Sequence, residues 1–87
     1  MFYVYRIHSL KYPERNYVGY SADLKQRLAD HNAGKSRYTS SFRPWKLVFY
    51  CAFETEDRAR AFEQYLKTSS GKAFGAKRLW KNPSKHE

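Results

Sequence analysis

The chain has 87 residues and a formal net charge of +9, with 17 Lys and Arg against 8 Asp and Glu. That length suits one domain with a modest core, and an aromatic fraction of 18% favours a folded globule over a disordered segment. The lone cysteine, Cys51, excludes an intramolecular disulfide and a multi-cysteine zinc site, while the excess of cations predicts nucleic acid as the partner.

The first twenty residues predict two strands joined by a loop. Residues 2–8 are rich in aromatic and β-branched side chains and are apolar on both faces, which is typical of a central strand covered by helices. Pro13 interrupts this pattern, and residues 16–20 form a second apolar run. The short connection predicts an antiparallel hairpin.

A helix is predicted directly after the second strand, over residues 22–33. Ser21 is a good N-cap residue, and Gly34 supplies a C-terminal stop. Leu24 and Leu28 are four residues apart and form the apolar stripe that would face the core.

Arg27 and His31 are also four residues apart on this helix, so their side chains can point at one place beside the core. Such a pair suits a functional site. The alternative is structural, because Asp23 could pair with Arg27 at the same spacing and a lone helical histidine is more often simply hydrogen-bonded.

The second half of the chain predicts a loop, a strand and two helices. Residues 35–45 are polar and basic and indicate a surface loop, and residues 47–53 are nearly all apolar and indicate a third strand. Thr55 is a suitable N-cap for a second helix. Its core stripe is predicted to consist of Ala59, Phe62 and Leu66.

The C-terminal part predicts a break and a last short helix. Ser69, Ser70 and Gly71 are expected to end the second helix, and residues 72–80 are expected to form a basic third helix. Residues 82–87 indicate a polar tail. The apolar face of the third helix is predicted to carry Ala73, Ala76 and Trp80.

Glu63 lies on or beside the predicted buried stripe of the second helix, between Phe62 and Leu66. Carboxylates are seldom buried unless they are paired or bind a metal. The alternative is an exposed pair with Lys67, four residues on, in the favourable Glu-before-Lys order. The pattern leaves both interpretations open.

Four separated elements together resemble the GIY-YIG endonuclease domain: Tyr3-Val4-Tyr5, Tyr17-Val18-Gly19, the Arg27-x-x-x-His31 helix and Glu63. The likeness is to small stand-alone members related to the nuclease domain of the bacterial nucleotide-excision-repair excinuclease. It implies an α/β (α+β) sandwich in which a small, largely antiparallel three-stranded sheet is flanked by helices, in the order β-β-α-β-α-α. The implied nuclease-like domain covers residues 1–81, followed by the tail at 82–87.

The resemblance also implies roles for five side chains in phosphodiester hydrolysis. Glu63 would be the ligand of one divalent metal, Mg²⁺ or Mn²⁺, held weakly without substrate. Tyr17 would activate or orient water, and Tyr5 would support it near the phosphate. Arg27 would face the scissile phosphate, and His31 would orient or deprotonate Tyr17 or the water.

This sequence departs from the family pattern at several points. Tyr3 stands where the first motif has Gly, Tyr20 replaces the Lys that follows the second motif in the repair-nuclease type, and the Asn expected one helix beyond Glu63 is missing. Gly19 is expected to allow a close backbone approach. Phosphate contacts are expected from Lys35, Arg37, Arg43, Lys72, Lys77 and Arg78.

The resulting prediction is a metal-dependent endonuclease acting on DNA, branched or damaged, in repair or recombination. A non-catalytic nucleic-acid-binding module that keeps the fold is the first alternative, and an adaptor docking on a larger repair protein is the second. A monomer in the cytoplasm is expected, because no membrane span or signal-peptide pattern is present in the sequence. The sequence does not choose among duplex, flap, junction and RNA substrates.

Overall fold

The computed structural model of the chain describes residues 1–80. The predicted tail at 82–87 and the domain boundary at 81 lie outside the described residues. The elements follow one another as three strands, β1 (Phe2–Ser9), β2 (Asn16–Ser21) and β3 (Trp45–Phe53), and three helices, α1 (Leu24–Asn32), α2 (Glu56–Leu66) and α3 (Ser69–Arg78). The order β-β-α-β-α-α confirms the predicted α+β fold. No helix within residues 1–80 is long and apolar enough to cross a membrane.

The three strands form one antiparallel sheet in the order β2-β1-β3, so β1 is central as predicted. Each face of the sheet carries its own small core. Alternate residues of β1 point to opposite faces, so Val4 packs with α2 whereas Tyr5 and Ile7 pack toward α1. The α2 side is built on Val4, Ala59 and Leu66, and the α1 side on Tyr5, Ile7 and Trp45, with Leu24 and Leu28 against them.

The start of α1 differs from the prediction. Ser21 is the last residue of β2, and Asp23 is the N-cap, because its carboxylate accepts a hydrogen bond from the Gln26 backbone at 3.1 Å. Pairing with β1 extends to Ser21, which draws this residue into the sheet. The predicted stop is confirmed: Gly34 has φ of 80°, which favours glycine.

The junction between α2 and α3 also differs from the prediction. Thr55 caps α2 as expected, but α2 ends at Leu66, and Thr68 then caps α3 by accepting from the Gly71 backbone at 3.0 Å. The predicted helix-ending stretch Ser69–Gly71 therefore opens α3. This cap redirects the chain before those residues are reached.

The buried face of α3 consists of glycines and not of the predicted alanines. Gly71 and Gly75 are buried, whereas Ala73 and Ala76 are exposed. A Cβ on Gly75 would lie 2.6 Å from Cη2 of Trp80, so only a glycine lets the indole pack on the helix. The close packing of Trp80 on α3 therefore depends on the absence of a Cβ atom at Gly75.

Candidate active site

A chain of buried hydrogen bonds joins β1, α1 and the segment before β3. The Tyr5 hydroxyl lies 2.8 Å from Nε2 of His31, and Nδ1 of His31 lies 2.7 Å from the Thr39 hydroxyl. Tyr5 is 1% exposed, and His31 and Thr39 are fully buried. Tyr5 and His31 are 26 positions apart, and His31 and Thr39 are 8 positions apart, so only the folded chain brings them together.

Burial and the neighbouring Arg27 determine the protonation states of the residues in these hydrogen bonds. Burial lowers the pKa of His31, and the positive charge of Arg27 lowers it further, so the imidazole is neutral. Burial raises the pKa of Tyr5 to about 12, so the phenol keeps its proton. A neutral imidazole has one donor and one acceptor nitrogen. The Arg27 guanidinium beside the Tyr5 oxygen favours the arrangement in which the Tyr5 O–H donates to Nε2 of His31 and the Nδ1–H of His31 donates to Thr39.

Arg27 is half-buried on α1 and faces the hydroxyls of two tyrosines. Hydrogen bonding with Tyr5 raises the pKa of Arg27, and Tyr17 contributes in the same direction. The alternative pairing with Asp23 is absent, because that carboxylate caps α1 and Arg27 forms no ion pair within residues 1–80. The guanidinium is therefore free of carboxylates and available to a phosphate.

Tyr17 lies over the same cluster from the edge strand β2. Its ring centroid is 5.3 Å from that of His31, in an edge-on arrangement, and 6.4 Å from that of Tyr5. Tyr17 is half-buried, whereas Tyr5 is almost completely buried. Both ring nitrogens of His31 are used by Tyr5 and Thr39, so His31 supports Tyr5 in this structure and does not hydrogen-bond Tyr17.

Gly19 makes room for the buried phenol. It pairs with Tyr5 across the β1–β2 ladder, and a Cβ at this position would lie 2.6 Å from Cζ of Tyr5 and 2.9 Å from Cε2 of Tyr17. The expected close approach is therefore made by a side chain, the Tyr5 ring, over the backbone of Gly19. Any larger residue would displace the two tyrosines that flank Arg27.

Glu63 forms the predicted pair with Lys67, but its side chain is mostly buried and not exposed. Its side chain is only 16% exposed, and Oε2 lies 2.8 Å from Nζ of Lys67. The charge of the same carboxylate is the smallest of the causes that shift the pKa of Tyr5, and it acts to raise it. The Lys67 ammonium in turn lies 5.5 Å from the centroid of the Tyr17 ring. The Glu63–Lys67 pair therefore borders the cluster beside Tyr17.

The donor atoms available to a metal ion are few. Within residues 1–80 no group of three His, Cys, Asp or Glu side chains could hold an ion together. Among residues 1–80, Glu63 is the carboxylate linked to the cluster of Tyr5, Tyr17 and Arg27, through Lys67 beside Tyr17. Mg²⁺ is commonly held by one or two carboxylates, with water and substrate phosphate completing its octahedron. This donor set therefore fits one divalent ion that depends on substrate for tight binding.

The predicted site residues fall into two groups. Tyr5, Tyr17, Arg27 and His31 lie together between α1 and the β1–β2 hairpin, and Glu63 is linked to them from α2 through Lys67, which lies beside Tyr17. The six predicted phosphate-binding cations are all exposed, but only Lys72 lies in the groove beside Tyr17. Two others are already engaged, Lys35 with Asp30 at 3.8 Å and Arg43 with the Ser40 carbonyl at 2.8 Å. Arg37, Lys77 and Arg78 are exposed elsewhere on the surface.

The sequence interpretation missed Thr39 and the involvement of Lys67. Thr39 lies in the segment predicted to be a surface loop, where hydroxyl residues are common and none stands out. Its burial follows from Trp45, whose indole N–H donates to the Thr39 carbonyl at 2.9 Å. A signal exists in the sequence, because an apolar Trp close to a predicted loop must draw part of that loop inward.

Replacing His31 with Gln is expected to flatten the pH dependence of stability. The folded-state pKa of His31 lies below its unfolded value of about 6.5, so its contribution is fully present above that pH. As pH falls, the unfolded chain takes up a proton that the folded chain resists, and stability is lost. Urea midpoints between about pH 7 and pH 5 should therefore fall less in His31→Gln than in the wild type. Parallel profiles would contradict a neutral, buried His31.

Comparisons with known proteins agree with the fold and the motifs. A family model described as the GIY-YIG catalytic domain matches residues 1–78. A UPF0213 protein of Streptococcus pyogenes strain Manfredo is 44% identical over 52 residues, which are 59% of this chain and 56% of that protein. UPF0213 proteins of further Streptococcus pyogenes strains match to the same extent, so the match spans little more than half the length of these relatives.

A solved structure extends the likeness to nearly the whole chain. The solution NMR structure of a UPF0213 protein from Bacillus halodurans is 30% identical, with a TM-score of 0.55, and the likeness covers 97% of this chain and 90% of that one. The family resemblance inferred from the four separated sequence elements is thereby confirmed. With the family model matching residues 1–78, the chain belongs to the GIY-YIG family of nuclease-type catalytic domains.

Proposed function

We propose that this chain is a metal-dependent endonuclease that hydrolyses phosphodiester bonds in DNA. One observation carries the proposal: a half-buried tyrosine (Tyr17) and a guanidinium with no acidic partner within residues 1–80 (Arg27) lie beside the Tyr5 hydroxyl, and a mostly buried carboxylate (Glu63) pairs with Lys67 next to Tyr17. Hydrolysis of a phosphodiester requires a held phosphate, a positioned water and stabilised charge. These three groups can supply those needs.

Each side chain has a distinct task in this mechanism. Arg27 binds two oxygens of the scissile phosphate through its planar fork, which a lysine cannot do. Tyr17, the partly exposed phenol, orients the attacking water beside that phosphate. Tyr5 keeps its proton and holds Arg27 in place from below, and His31 in turn fixes Tyr5.

Glu63 would hold the Mg²⁺ or Mn²⁺ ion, which when bound supplies Lewis-acid stabilisation of the phosphoryl oxygens. The ion pair with Lys67 is expected to weaken metal binding by the free protein. A metal must compete with an ammonium only 2.8 Å from the carboxylate, and a bound phosphate would give that ammonium another partner.

Mn²⁺ is therefore expected to bind the free protein weakly and the DNA complex at least about tenfold more tightly. The electron paramagnetic resonance signal of free Mn²⁺ measures both affinities directly. Tight binding by the protein alone, unchanged by Glu63→Gln, would contradict Glu63 as the ligand.

Two other functions compete with this proposal. A nucleic-acid-binding module needs cations but has no use for a carboxylate held at 16% exposure beside its binding residues. An adaptor would need a docking surface and not a convergent polar cluster. The site favours catalysis over both, and roles in repair or recombination, a larger repair partner and a cytoplasmic location remain predictions.

The test is incubation of the purified protein with supercoiled, branched and single-stranded DNA. Conversion of supercoiled plasmid to nicked circles with Mg²⁺ or Mn²⁺, and none with a chelator, is the expected result. Arg27→Ala purified in parallel controls for contaminating nucleases. Equal nicking by the two proteins, or no cleavage of any substrate, would contradict the proposal.

A further inference from the structure

A groove of about 780 Å³ runs along the free edge of β2 and opens beside the candidate active site. Tyr17 and Lys67 belong both to the groove and to the site. The rest of its lining comes from residues that the mechanism leaves unused, on all the elements around it: β1, β2, the end of α2, α3, the residues just after α3 and the segment before β3. The lining side chains that matter are Arg6, Tyr17, Tyr38, Lys67, Lys72 and Trp80.

The groove is built to receive an anion. Three of its lining residues are cations, and none is a carboxylate. Arg6 is the clearest case: it is half-buried, its guanidinium lies 4.5 Å over the Trp80 ring, and it forms no ion pair within residues 1–80. A partly buried cation without a carboxylate is costly, and burial lowers the pKa of Arg6 accordingly. A phosphate in the groove would offset that cost.

The groove also presents a free aromatic face. Tyr38 is 66% exposed, and its ring centroid lies 5.6 Å from that of Tyr17. Burial does not explain such an exposed ring, whereas bases stack readily on exposed aromatic side chains. In a continuous duplex each base face is covered by its neighbours, so only an unpaired base can use the Tyr38 ring.

We propose that this groove binds an unpaired nucleotide next to the scissile phosphate, with its base on Tyr38 and its phosphate between Arg6 and Lys72. The inference rests on the proposed function and narrows it to DNA that carries a single-stranded segment. A volume of about 780 Å³ suits a nucleotide-sized ligand. Continuous duplex would contact the surface cations but leave the groove empty.

The experiment measures binding in the Glu63→Gln protein without divalent metal, so that cleavage does not interfere. Fluorescence anisotropy compares a labelled single-stranded oligothymidylate with a blunt duplex of equal length. Tyr38→Ala is matched by Tyr50→Ala, because Tyr50 is 55% exposed on β3, the other edge strand. Arg6→Met keeps the packing length without the charge, and exposed Arg58→Met on α2 is its control.

Tyr38→Ala is expected to weaken single-strand binding about 5- to 150-fold, the range of base–aromatic stacking. Arg6→Met is expected to weaken single-strand binding as well, because it removes a phosphate contact. Duplex binding and both control variants should stay unchanged. Equal losses on the two probes, or no loss on the single strand, would overturn the inference. If Arg6→Met fails to fold in a thermal melt, the surface variant Tyr38→Ala decides alone.

The two proposals can fail separately. If the wild-type protein cleaves DNA but Tyr38→Ala binds single strands normally, the proposed nuclease function holds and the proposed role of the groove is wrong. If the wild-type protein does not nick DNA but Tyr38→Ala weakens its binding of single strands, the groove is a nucleic-acid site and the proposed nuclease function is wrong.

Discussion

Arg27→Ala is expected to slow plasmid nicking about 100- to 1,000-fold, the loss typical when one preorganised transition-state donor is removed. The guanidinium is half-buried, faces the hydroxyls of Tyr5 and Tyr17, and has no acidic partner within residues 1–80. Its charge is therefore available to the phosphoryl oxygens as negative charge develops on them. Single-turnover nicking rates at saturating Mg²⁺ measure the effect.

Two further variants separate the phosphate contact from charge and folding. Arg27→Lys keeps the charge but loses the planar fork and part of the contact with Tyr5, so it should recover only a minor part of the rate. Arg58→Ala removes an exposed arginine from α2 and should nick like the wild type. A wild-type nicking rate in Arg27→Lys would show that a bidentate phosphate contact is not needed. A wild-type nicking rate in Arg27→Ala would show that Arg27 has no role in cleavage.

Much of the fold follows from local patterns that the structure keeps. Apolar residues on both faces of β1 place that strand at the centre, because each face needs its own cover. The stripe of Ala59, Phe62 and Leu66 packs on the core as predicted, because helical spacing fixes which residues share a face. Gly34 ends α1 because its left-handed conformation is costly for other residues.

The errors arise where a distant contact decides between two locally acceptable choices. Ser21 and Asp23 are both good caps, and the length of the β1–β2 ladder, which reaches Ser21, selects Asp23. Thr68 begins a new helix two residues after α2 ends, which no local breaker announces. In each case the neighbouring element had to be known first.

The candidate site shows the same division. The spacing of Arg27 and His31 predicts that they share a flank of α1, and both do reach the cluster. His31 contacts Tyr5 through one ring nitrogen and Thr39 through the other. This arrangement depends on the packing of the loop that carries Thr39 and on the buried Trp45 indole. Spacing predicts which side chains can meet, whereas the direction of each hydrogen bond needs the folded structure.

Glu63→Gln is the decisive variant for metal-dependent cleavage, because Glu63 is the carboxylate that would hold the metal ion. The amide keeps the size of the side chain but is a poor metal ligand, so nicking should fall about 1,000-fold or more, to the level of the assay background. DNA binding should be retained or strengthened, since a negative charge near the phosphate is lost. The same variant should raise the concentration of Mn²⁺ needed for any residual nicking.

Glu56→Gln is the matched control for this measurement. Glu56 lies on the same helix and pairs with Arg60 at 2.8 Å, four residues on, as Glu63 pairs with Lys67. Its side chain is 47% exposed and belongs to no part of the site. The account predicts nicking at the wild-type rate by Glu56→Gln and background nicking by Glu63→Gln with DNA binding intact. Equal nicking by the two variants would contradict the account.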